Sequence, residues 1–352
     1  MKLQQVITSG NSSPTYFIAD IAANHDGDIK RAIKLIKLAA EAGANAAKFQ
    51  NFRAETIVSR KGFEEVGKLT HQEKWEKSVF EVYKEAELPI SWTQDLISAC
   101  HAHGIEYFTA PYDLEFISFF AKRMSYFKVG SGDITWKESL EEMGNFGKPV
   151  LLATGASNQF EVDQAMFVLN QKSIPVILMQ CNTNYTGSED NYKYLNLNVL
   201  KSFRDAYPEA ILGLSDHSPG HLAVLGAVAL GARVIEKHFT DDTNRKGPDH
   251  NFSLDPTSWR KMVDEVRILE KCLGDGIKKV EQNENESRVI QRRGLRFNKP
   301  LKAGEQILKS NRIALRPCPE NAINPFEIEK VLGKTLKVDV EEDTLVTLEI
   351  IE

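Results

Sequence analysis

Residues 210–221, AILGLSDHSPGH, and residues 233–250, RVIEKHFTDDTNRKGPDH, carry the clearest structural pattern in the chain. Each segment starts with an apolar run, at 210–214 and at 233–235, and continues into a polar cluster that contains a histidine. Residues 220–231 between them are rich in Ala, Leu and Val, which is typical of a helix packed on a sheet. This strand, helix and strand predict a βαβ unit whose parallel strands end on the same side.

The two histidines, His217 and His238, are therefore expected to be neighbours in space, with Asp216 and Glu236 beside them. Two imidazoles with nearby carboxylates suit a divalent metal such as Mn, Fe, Co or Zn. The alternative is that each histidine only caps or hydrogen-bonds the end of its own strand.

Composition limits the classes of protein to which the chain can belong. Its 352 residues are 42% hydrophobic and 26% charged with a net charge of −5, as in ordinary globular proteins and without a basic surface for nucleic acid. The four cysteines form no CxxC pair, which argues against a disulfide scaffold and a structural zinc site. Residues 1–13 do not resemble a signal peptide, and residues 223–235 are too short to span a bilayer. We expect a soluble, cytoplasmic protein that binds neither nucleic acid nor membrane.

The same alternation of strand and helix extends along most of the chain. Strands are predicted at the following positions: 16–22, 46–50, Glu106–Pro111, 126–130, 149–155, 175–181, 210–214 and 233–235. Helices are predicted at 29–42, 72–86, 91–103, 114–123, 136–146, 158–171, 196–207, 220–231 and Pro256–Leu273, with a polar loop at about 51–73. Eight such units in about 270 residues predict a TIM barrel. A doubly wound open sheet is the alternative, but no GxGxxG follows the first strand.

The barrel is assigned to residues 1–275, followed by a charged linker at 276–290. Residues 291–352 then change to short apolar segments separated by Gly, Pro and acidic turns, at 295–298, 306–308, 313–316, 335–338 and 345–350. This predicts a small, mostly β domain. Outside these patterns, His71, His101 and His103 lie in polar stretches and are expected to face solvent.

Catalytic groups of a TIM barrel lie at the C-terminal ends of its strands. Lys48 in AAKFQ and Lys128 in YFKVG must escape to water or meet an anion, because an unpaired buried ammonium is costly. Beside a metal, two such lysines suit a substrate with phosphate or carboxylate groups. Structural pairing with an acidic side chain stays open, as does a Schiff-base lysine, although the paired histidines favour metal-assisted chemistry.

With these motifs the chain resembles the sialic acid synthase family, which condenses phosphoenolpyruvate with an N-acyl amino sugar to give a nonulosonic acid. The matching segments are FIADIAANHDGD, AAKFQNFRAE, YFTAPYD, YFKVGSGD, KPVLLATGAS, QCNTNY, ILGLSDHS and VIEKHFTDDTNRKGPDH. The tail, from GLRFNKPLKAGEQI through IALRPCPENAI to LGKTL, is similar to the antifreeze-like (SAF) domain that ends these synthases.

The resemblance implies roles for individual residues. His217 and His238 would be the protein ligands of a metal, most often Mn²⁺, while Lys48 and Lys128 with Ser131 and Thr154 would hold phosphoenolpyruvate. The catalytic set would be Asp20, Lys48, Lys128, Asp133 and Glu236. The remaining substrate-binding residues would be Thr109, Thr183, Tyr185, Asp249 and Arg316. Arg316 matches an arginine that the small domain inserts into the partner subunit's site, which implies a domain-swapped homodimer.

This sequence departs from the family pattern at three positions. Asp20 and Asp133 stand where Glu is common, which withdraws each carboxylate by about 1.5 Å, and Thr183 stands where Asn is frequent. The acceptor is therefore left open between an N-acetylmannosamine-like sugar and a diacetamido-trideoxyhexose.

Three further hypotheses stay open. The first is a related synthase with a phosphorylated acceptor, for which Arg53, Arg60 or Lys61 would supply the phosphate contacts. The second is a metal hydrolase of the amidohydrolase kind, although only Asn24-His25 stands where that fold carries H-x-H. The third is a non-catalytic barrel that binds carbohydrate.

Overall fold

The computed structural model describes residues 1–69, 72–73 and 75–352. His71, for which we expected a position at the surface, lies outside the described residues, as does one residue of the helix predicted at 72–86. The chain divides into two compact units, Met1–Gly274 and Asp275–Glu352. Each is described by itself.

The first unit is built around one sheet of eight parallel strands. The strands are β1 Tyr16–Asp20, β2 Ala46–Asn51, β3 Glu106–Pro111, β4 Phe127–Val129, β5 Val150–Ala153, β6 Val176–Cys181, β7 Ile211–Asp216 and β8 Val234–His238. They are hydrogen-bonded in the order β3-β2-β1-β8-β7-β6-β5-β4. The terminal strands of this order, β3 and β4, lie against each other, so the sheet closes. The predicted TIM barrel is confirmed.

Helices surround the sheet. They are α1 Leu3–Ser9, α2 Ile29–Glu41, α3 Ala54–Ile57, α4 Arg60–Val66, α5 Val79–Ala86, α6 Thr93–Ala102, α7 Leu114–Ala121, α8 Lys137–Asn145, α9 Gln159–Asn170, α10 Val199–Ala206, α11 Leu222–Ala229 and α12 Pro256–Leu273. Among the described residues, none of the helices has the length and apolar character needed to cross a membrane.

The structure differs from prediction in the connection between β2 and β3. Helices α3 and α4 occupy much of the interval predicted as a polar loop, and the helix predicted from residue 72 starts at Val79. Ser78 sets that start, because its hydroxyl accepts a hydrogen bond from the Glu81 amide while the Glu81 carboxylate accepts one from the Ser78 amide. This reciprocal capping satisfies two amides that the first turn would leave without partners.

The barrel strands are buried on both faces, as parallel strands covered by helices must be. In β8 every residue from Val234 to His238 is buried. Side chains alternate along a strand, so Glu236 and His238 share one face and Lys237 takes the other. The fold therefore directs the two chemically useful residues of VIEKH to the same side.

The second unit contains an antiparallel pair, β9 Gly294–Phe297 and β10 Arg312–Leu315, around a small core of its own. The other predicted strands appear only as isolated bridges, such as that between Gln306 and Thr335. The interval predicted as a linker contains a helix, α13 Asn285–Gln291. Val289 in this helix accepts a hydrogen bond from the Cys318 amide, which ties the helix to the second unit.

Candidate active site

A cluster of buried charges lies at the C-terminal ends of β1, β2 and β8. Asp20 pairs in register with both Lys48 and His238 across its two neighbouring strands. The Lys48 ammonium lies 2.6 Å from the Asp20 carboxylate and 3.1 Å from Glu236 Oε1, and the Lys128 ammonium lies 3.5 Å from that same oxygen. The lysines predicted to meet anions therefore pair with acidic side chains of the site itself.

The charges in this cluster stabilise one another. Burial disfavours the charged form of Glu236, but Lys128 and Lys48 outweigh burial and lower the pKa of Glu236 to about 2. Burial opposes the charge on Lys48 as well, yet Asp20 and Glu236 raise the pKa of Lys48. For Lys128 burial prevails and lowers the pKa, since Glu236 only partly compensates. Glu236 Oε2 finds no hydrogen-bond partner within the described part of the chain, which leaves an acceptor facing the site.

The two histidines are neighbours, as predicted, with ring centroids 5.3 Å apart. Burial lowers the pKa of each to about 3, so both imidazoles are neutral at physiological pH. His217 Nδ1 lies 3.0 Å from the Asn182 carbonyl oxygen, so Nδ1 carries the proton and Nε2 keeps a free lone pair. His238 Nδ1 has no hydrogen-bond partner among the described residues. A neutral imidazole with a free nitrogen is the form that binds a metal.

Aromatic rings hold this histidine pair in place. The Tyr185 ring packs edge-on against His217 at 4.4 Å between centroids, and Phe252 packs against His238 at 4.9 Å. Because the described residues contain no cluster of three or more His, Cys, Asp or Glu arranged around one point, a metal here would take further ligands from water or substrate.

Two carboxyl groups near the charge cluster titrate close to neutral pH. Burial raises the pKa of Asp133 to about 6, although Lys128 opposes the shift. Burial likewise raises the pKa of Asp249 to about 7, despite a 3.0 Å hydrogen bond that its carboxylate accepts from the Ala23 amide. Groups with such pKa values can both take up and release protons under working conditions.

These side chains line one cavity of about 330 Å³. Ten of the predicted site residues face it: Asp20, Lys48, Lys128, Ser131, Asp133, Tyr185, His217, Glu236, His238 and Asp249. A volume of this order is enough for a small substrate. The barrel therefore brings together most of the residues that the motifs pointed to.

Three predicted substrate-binding threonines do not line the cavity. Thr109 is fully buried, and its hydroxyl donates to Asn51 Oδ1 at 2.7 Å. The Thr154 hydroxyl donates to the Met179 carbonyl at 3.0 Å. Thr183 packs instead at Gly155, where a Cβ would lie 2.6 Å from the Thr183 methyl group. In this structure Thr109 and Thr154 therefore hydrogen-bond neighbouring strands, and none of the three threonines is among the residues that line the cavity.

Asp216 and Arg316 were also expected at the site. Asp216 does not join the histidine pair, because it forms a wholly buried ion pair with Lys237 on the opposite face of β8. Arg316 lies in the second unit, where its exposed side chain donates to the Gln291 carbonyl at 2.6 Å. Its insertion into a partner subunit's site stays a prediction.

Sequence reasoning missed part of the cavity lining. Gln50 donates weakly to Asp20 at 3.4 Å, and Tyr112 lies directly after β3. The segment between β2 and β3 also contributes Phe52, Trp75 and Tyr83. A polar, charge-rich segment gave no signal of these contacts, although its spaced aromatic residues could have suggested a covered pocket.

Comparisons with known proteins identify the family of this chain. Residues 35–278 match the model of the NeuB family, and residues 292–352 match that of the SAF domain. The chain is 34% identical to N,N'-diacetyllegionaminic acid synthase of Campylobacter jejuni, over 94% of this chain and 98% of that protein. It is 33% identical to the Legionella pneumophila protein of the same name, over 100% and 98%.

Among solved structures, it resembles N-acetylneuraminic acid synthetase of Leptospira borgpetersenii. The TM-score is 0.70 at 30% identity, covering 79% of this chain and 91% of that one. The family resemblance carried by the sequence motifs is thereby confirmed. The chain belongs to the NeuB family and ends in a SAF domain.

Proposed function

We propose that this enzyme condenses phosphoenolpyruvate with the aldehyde of an N-acyl amino sugar, releasing phosphate and forming a nonulosonic acid. The observation that carries the proposal is the pair of buried lysines, Lys48 and Lys128, in the cavity that also contains His217 and His238. The names of the similar synthases support the class of product. The enzyme would make this acid in the cytoplasm as a building block for surface polysaccharide.

Phosphoenolpyruvate would bind at the two lysines. Both lysine residues are 2% exposed, and both ammonium groups lie near Glu236. An anion that enters the cavity meets two cations in a region of low dielectric constant, where electrostatic attraction is strong. Ser131 lines the same cavity, and its hydroxyl accepts a hydrogen bond from the Gly155 amide at 3.0 Å.

His217 and His238 fit a divalent metal, for which we propose Mn²⁺. Both rings are neutral, and His238 Nδ1 is a buried nitrogen without a partner among the described residues. When bound, the metal supplies a Lewis acid for the aldehyde oxygen. Only two protein ligands are assigned, so coordination positions remain for substrate.

The chemistry then rests on carboxyl groups beside the lysines. C3 of phosphoenolpyruvate forms a bond to the aldehyde carbon, and the aldehyde oxygen takes up a proton. The electron pair of the C2–C3 double bond forms this new bond and leaves C2 electron-deficient, so water adds at C2 and loses one proton to a carboxylate. The bond between C2 and the phosphate oxygen then breaks with its electron pair on phosphate, and the remaining hydroxyl proton leaves at the same time, which gives the ketone and free phosphate. Asp133 and Asp249, with pKa values of about 6 and 7, suit these proton transfers near neutral pH. Lys48 and Lys128 stabilise the oxyanions that form.

The hydrolase hypothesis receives no support from the cavity. His25, which would have to serve as a metal ligand, is buried outside it and accepts a hydrogen bond from the Gly27 amide at 3.1 Å. The carbohydrate-binding hypothesis does not account for two neutral histidines beside paired lysines.

The direct test measures phosphate release from phosphoenolpyruvate with Mn²⁺ and a panel of N-acyl amino sugars, with mass spectrometry of the product. We expect one acceptor to drive release and His238→Ala to abolish both activity and bound metal. His221→Ala is the matched control, because His221 pairs with Glu265 at 2.7 Å outside the cavity. Absence of release with every acceptor, from protein that holds metal, would overturn the proposal.

We also propose that the active form is a homodimer in which Arg316 reaches the partner subunit's cavity. This can be tested by mixing two inactive variants, Arg316→Ala and His238→Ala, under conditions that exchange subunits. In a shared arrangement half of the dimers regain one intact site, so activity returns to about a quarter of the unmodified level. A mixture that stays inactive while heterodimers form would contradict the shared site.

A further inference from the structure

Tyr112 lies directly after β3 and lines the cavity. Phe108 in β3 is in register with Lys48 in β2, and residues in register on neighbouring strands point to the same face. Because side chains alternate along a strand, Tyr112, four residues after Phe108, projects to the same face as Lys48. The Tyr112 amide donates to the Asn51 carbonyl at 2.9 Å, which extends the pairing of β2 and β3 past the end of β3. The fold therefore brings a phenol to the side of the barrel on which the charge cluster lies.

Two contacts fix the position of the Tyr112 ring. The ring packs edge-on against Phe52, with 6.3 Å between the ring centroids. It also reaches Gly130, where a Cβ would lie only 2.5 Å from the Tyr112 hydroxyl oxygen and 3.0 Å from the ring carbon Cε1. Glycine at position 130 permits this close approach. Since Gly130 stands between Lys128 and Ser131 in the chain, the hydroxyl lies against the segment that carries both of these residues.

The two lysines of the cavity are already paired with carboxylates. The Lys48 ammonium lies 2.6 Å from Asp20 and 3.1 Å from Glu236, and the Lys128 ammonium lies 3.5 Å from Glu236. Two cations and two anions thus partly offset one another. A substrate anion that leaves water to enter this cluster therefore needs hydrogen-bond donors as well as cations, because a buried anion without such partners is costly.

The Tyr112 hydroxyl has the protonation state that a donor requires. Burial raises the pKa of Tyr112 well above the ordinary value for tyrosine, and the carboxyl groups of Asp133, Asp20 and Glu236 act in the same direction. The phenol is therefore neutral and protonated at physiological pH. Its O–H can rotate about the C–O bond to meet an acceptor, and a hydrogen bond to an ionised acceptor is stronger than one to a neutral acceptor.

We propose that Tyr112 is a substrate-binding residue whose hydroxyl donates a hydrogen bond to an anionic oxygen of phosphoenolpyruvate, beside Lys128 and Ser131. The contact with Gly130 is the observation that places the hydroxyl at this end of the cavity. The inference rests on the proposed function for the identity of the anion. Tyr112 forms and breaks no covalent bond, and its proton stays on the phenol.

The test measures the dissociation constant of phosphoenolpyruvate by isothermal titration calorimetry, with Mn²⁺ present and without an acceptor sugar. Tyr112→Phe removes only the hydroxyl, and we expect it to raise this constant by about tenfold to a hundredfold, as for a lost hydrogen bond to a charged group. The affinity for Mn²⁺, titrated separately, should not change, because both histidines are retained. Tyr107→Phe is the matched control, since Tyr107 is a buried tyrosine of β3 that is not among the residues that line the cavity, and it should leave both affinities unchanged.

The outcomes of this experiment separate the inference from the proposed reaction. Equal affinity of the unmodified protein and Tyr112→Phe for phosphoenolpyruvate would overturn the inference while the proposed function stands. An equal loss in Tyr107→Phe, or a parallel loss of Mn²⁺ affinity in Tyr112→Phe, would also overturn it, because the effect would then be a general disturbance of packing. If the unmodified protein does not bind phosphoenolpyruvate, both proposals are wrong. Binding that depends on Tyr112, in protein that condenses no acceptor, would support the inference and refute the proposed reaction.

Discussion

The Lys237 ammonium lies 2.7 Å from the Asp216 carboxylate, and both side chains are wholly buried. Lys237 precedes His238 on β8, and Asp216 precedes His217 on β7, so the pair joins the two strands behind the histidines. The same lysine donates to the Ser218 carbonyl at 2.5 Å, while the Asp216 carboxylate accepts from the Ser218 amide at 2.9 Å. This network holds the turn that carries His217.

Replacing Lys237 should therefore lower the stability of the folded protein. Lys237→Met leaves the Asp216 carboxylate buried without its cation, and we expect a loss of about 3–5 kcal/mol in the free energy of unfolding. Urea denaturation measures it. The matched control is Lys84→Met, since Lys84 pairs with Glu55 at the surface, and it should change stability little. Equal effects of the two substitutions would show that the buried pair is not a structural anchor.

Gly155, which follows β5, lies against residues at the C-terminal ends of β4 and β6. A Cβ there would lie 2.6 Å from the Thr183 methyl group, 2.9 Å from the Ser131 hydroxyl and 3.0 Å from the Cys181 sulfur. Gly155→Ala should destabilise the protein by about 1–3 kcal/mol through overpacking. Under the proposed function it should also raise KM for phosphoenolpyruvate by displacing Ser131. Gly132→Ala is the control, because a Cβ at that position meets nothing within 4 Å. If both variants unfold at the same denaturant concentration, the protein accommodates a Cβ at position 155 without loss of stability, and the prediction is wrong.

Asp20 and Asp133, at which the family resemblance leads us to expect glutamate, have different surroundings. Asp20 is 1% exposed, 2.6 Å from Lys48 and 3.6 Å from His238 Nε2. An added methylene at this position should cost about 1–3 kcal/mol and disturb both partners, so Asp20→Glu should lower kcat/KM. Asp133 is only half-buried, and Asp133→Glu should cost less. Thermal unfolding and steady-state kinetics of the two variants measure this difference, and an equal loss would contradict it.

Asp249 should make stability depend on pH. Its pKa rises from 3.8 to about 7 on folding, so the folded state binds the extra proton between these values. Stability is therefore expected to fall as pH rises from about 4 to 7, because the unfolded state releases this proton at lower pH than the folded state does. Asp249→Asn removes this contribution and can still accept the Ala23 hydrogen bond.

The variant should unfold at a higher temperature than the unmodified protein at pH 8, and the difference should shrink by pH 5. Its activity should fall at both pH values if Asp249 takes part in proton transfer. Calorimetry at the two pH values provides the comparison. If the variant's gain in unfolding temperature were larger at pH 5 than at pH 8, the pH dependence would have the opposite sign, and a raised pKa of Asp249 would be excluded.

Much of this protein follows from local pattern. Alternating strands and helices with glycine or proline at their ends predict a barrel because each βαβ unit has one favoured hand and buries its own apolar face. The proximity of His217 and His238 follows as well, because both stand at the ends of adjacent parallel strands. Motif identity then indicates the family.

Other features depend on contacts distant in the chain. Lys237 is an ionisable residue between two others, Glu236 and His238, in the segment VIEKH. Its ion pair with Asp216 in the folded sheet shows that it lies on the face of β8 opposite the cavity. Thr109, a strand residue of suitable type, hydrogen-bonds Asn51, 58 residues away. The contribution of Phe52, Trp75 and Tyr83 to the cavity is less evident still, because these aromatic residues are sparse in a charge-rich segment. Long-range packing determines which side chains face the cavity, whereas a sequence pattern shows only that charged and aromatic residues are both present.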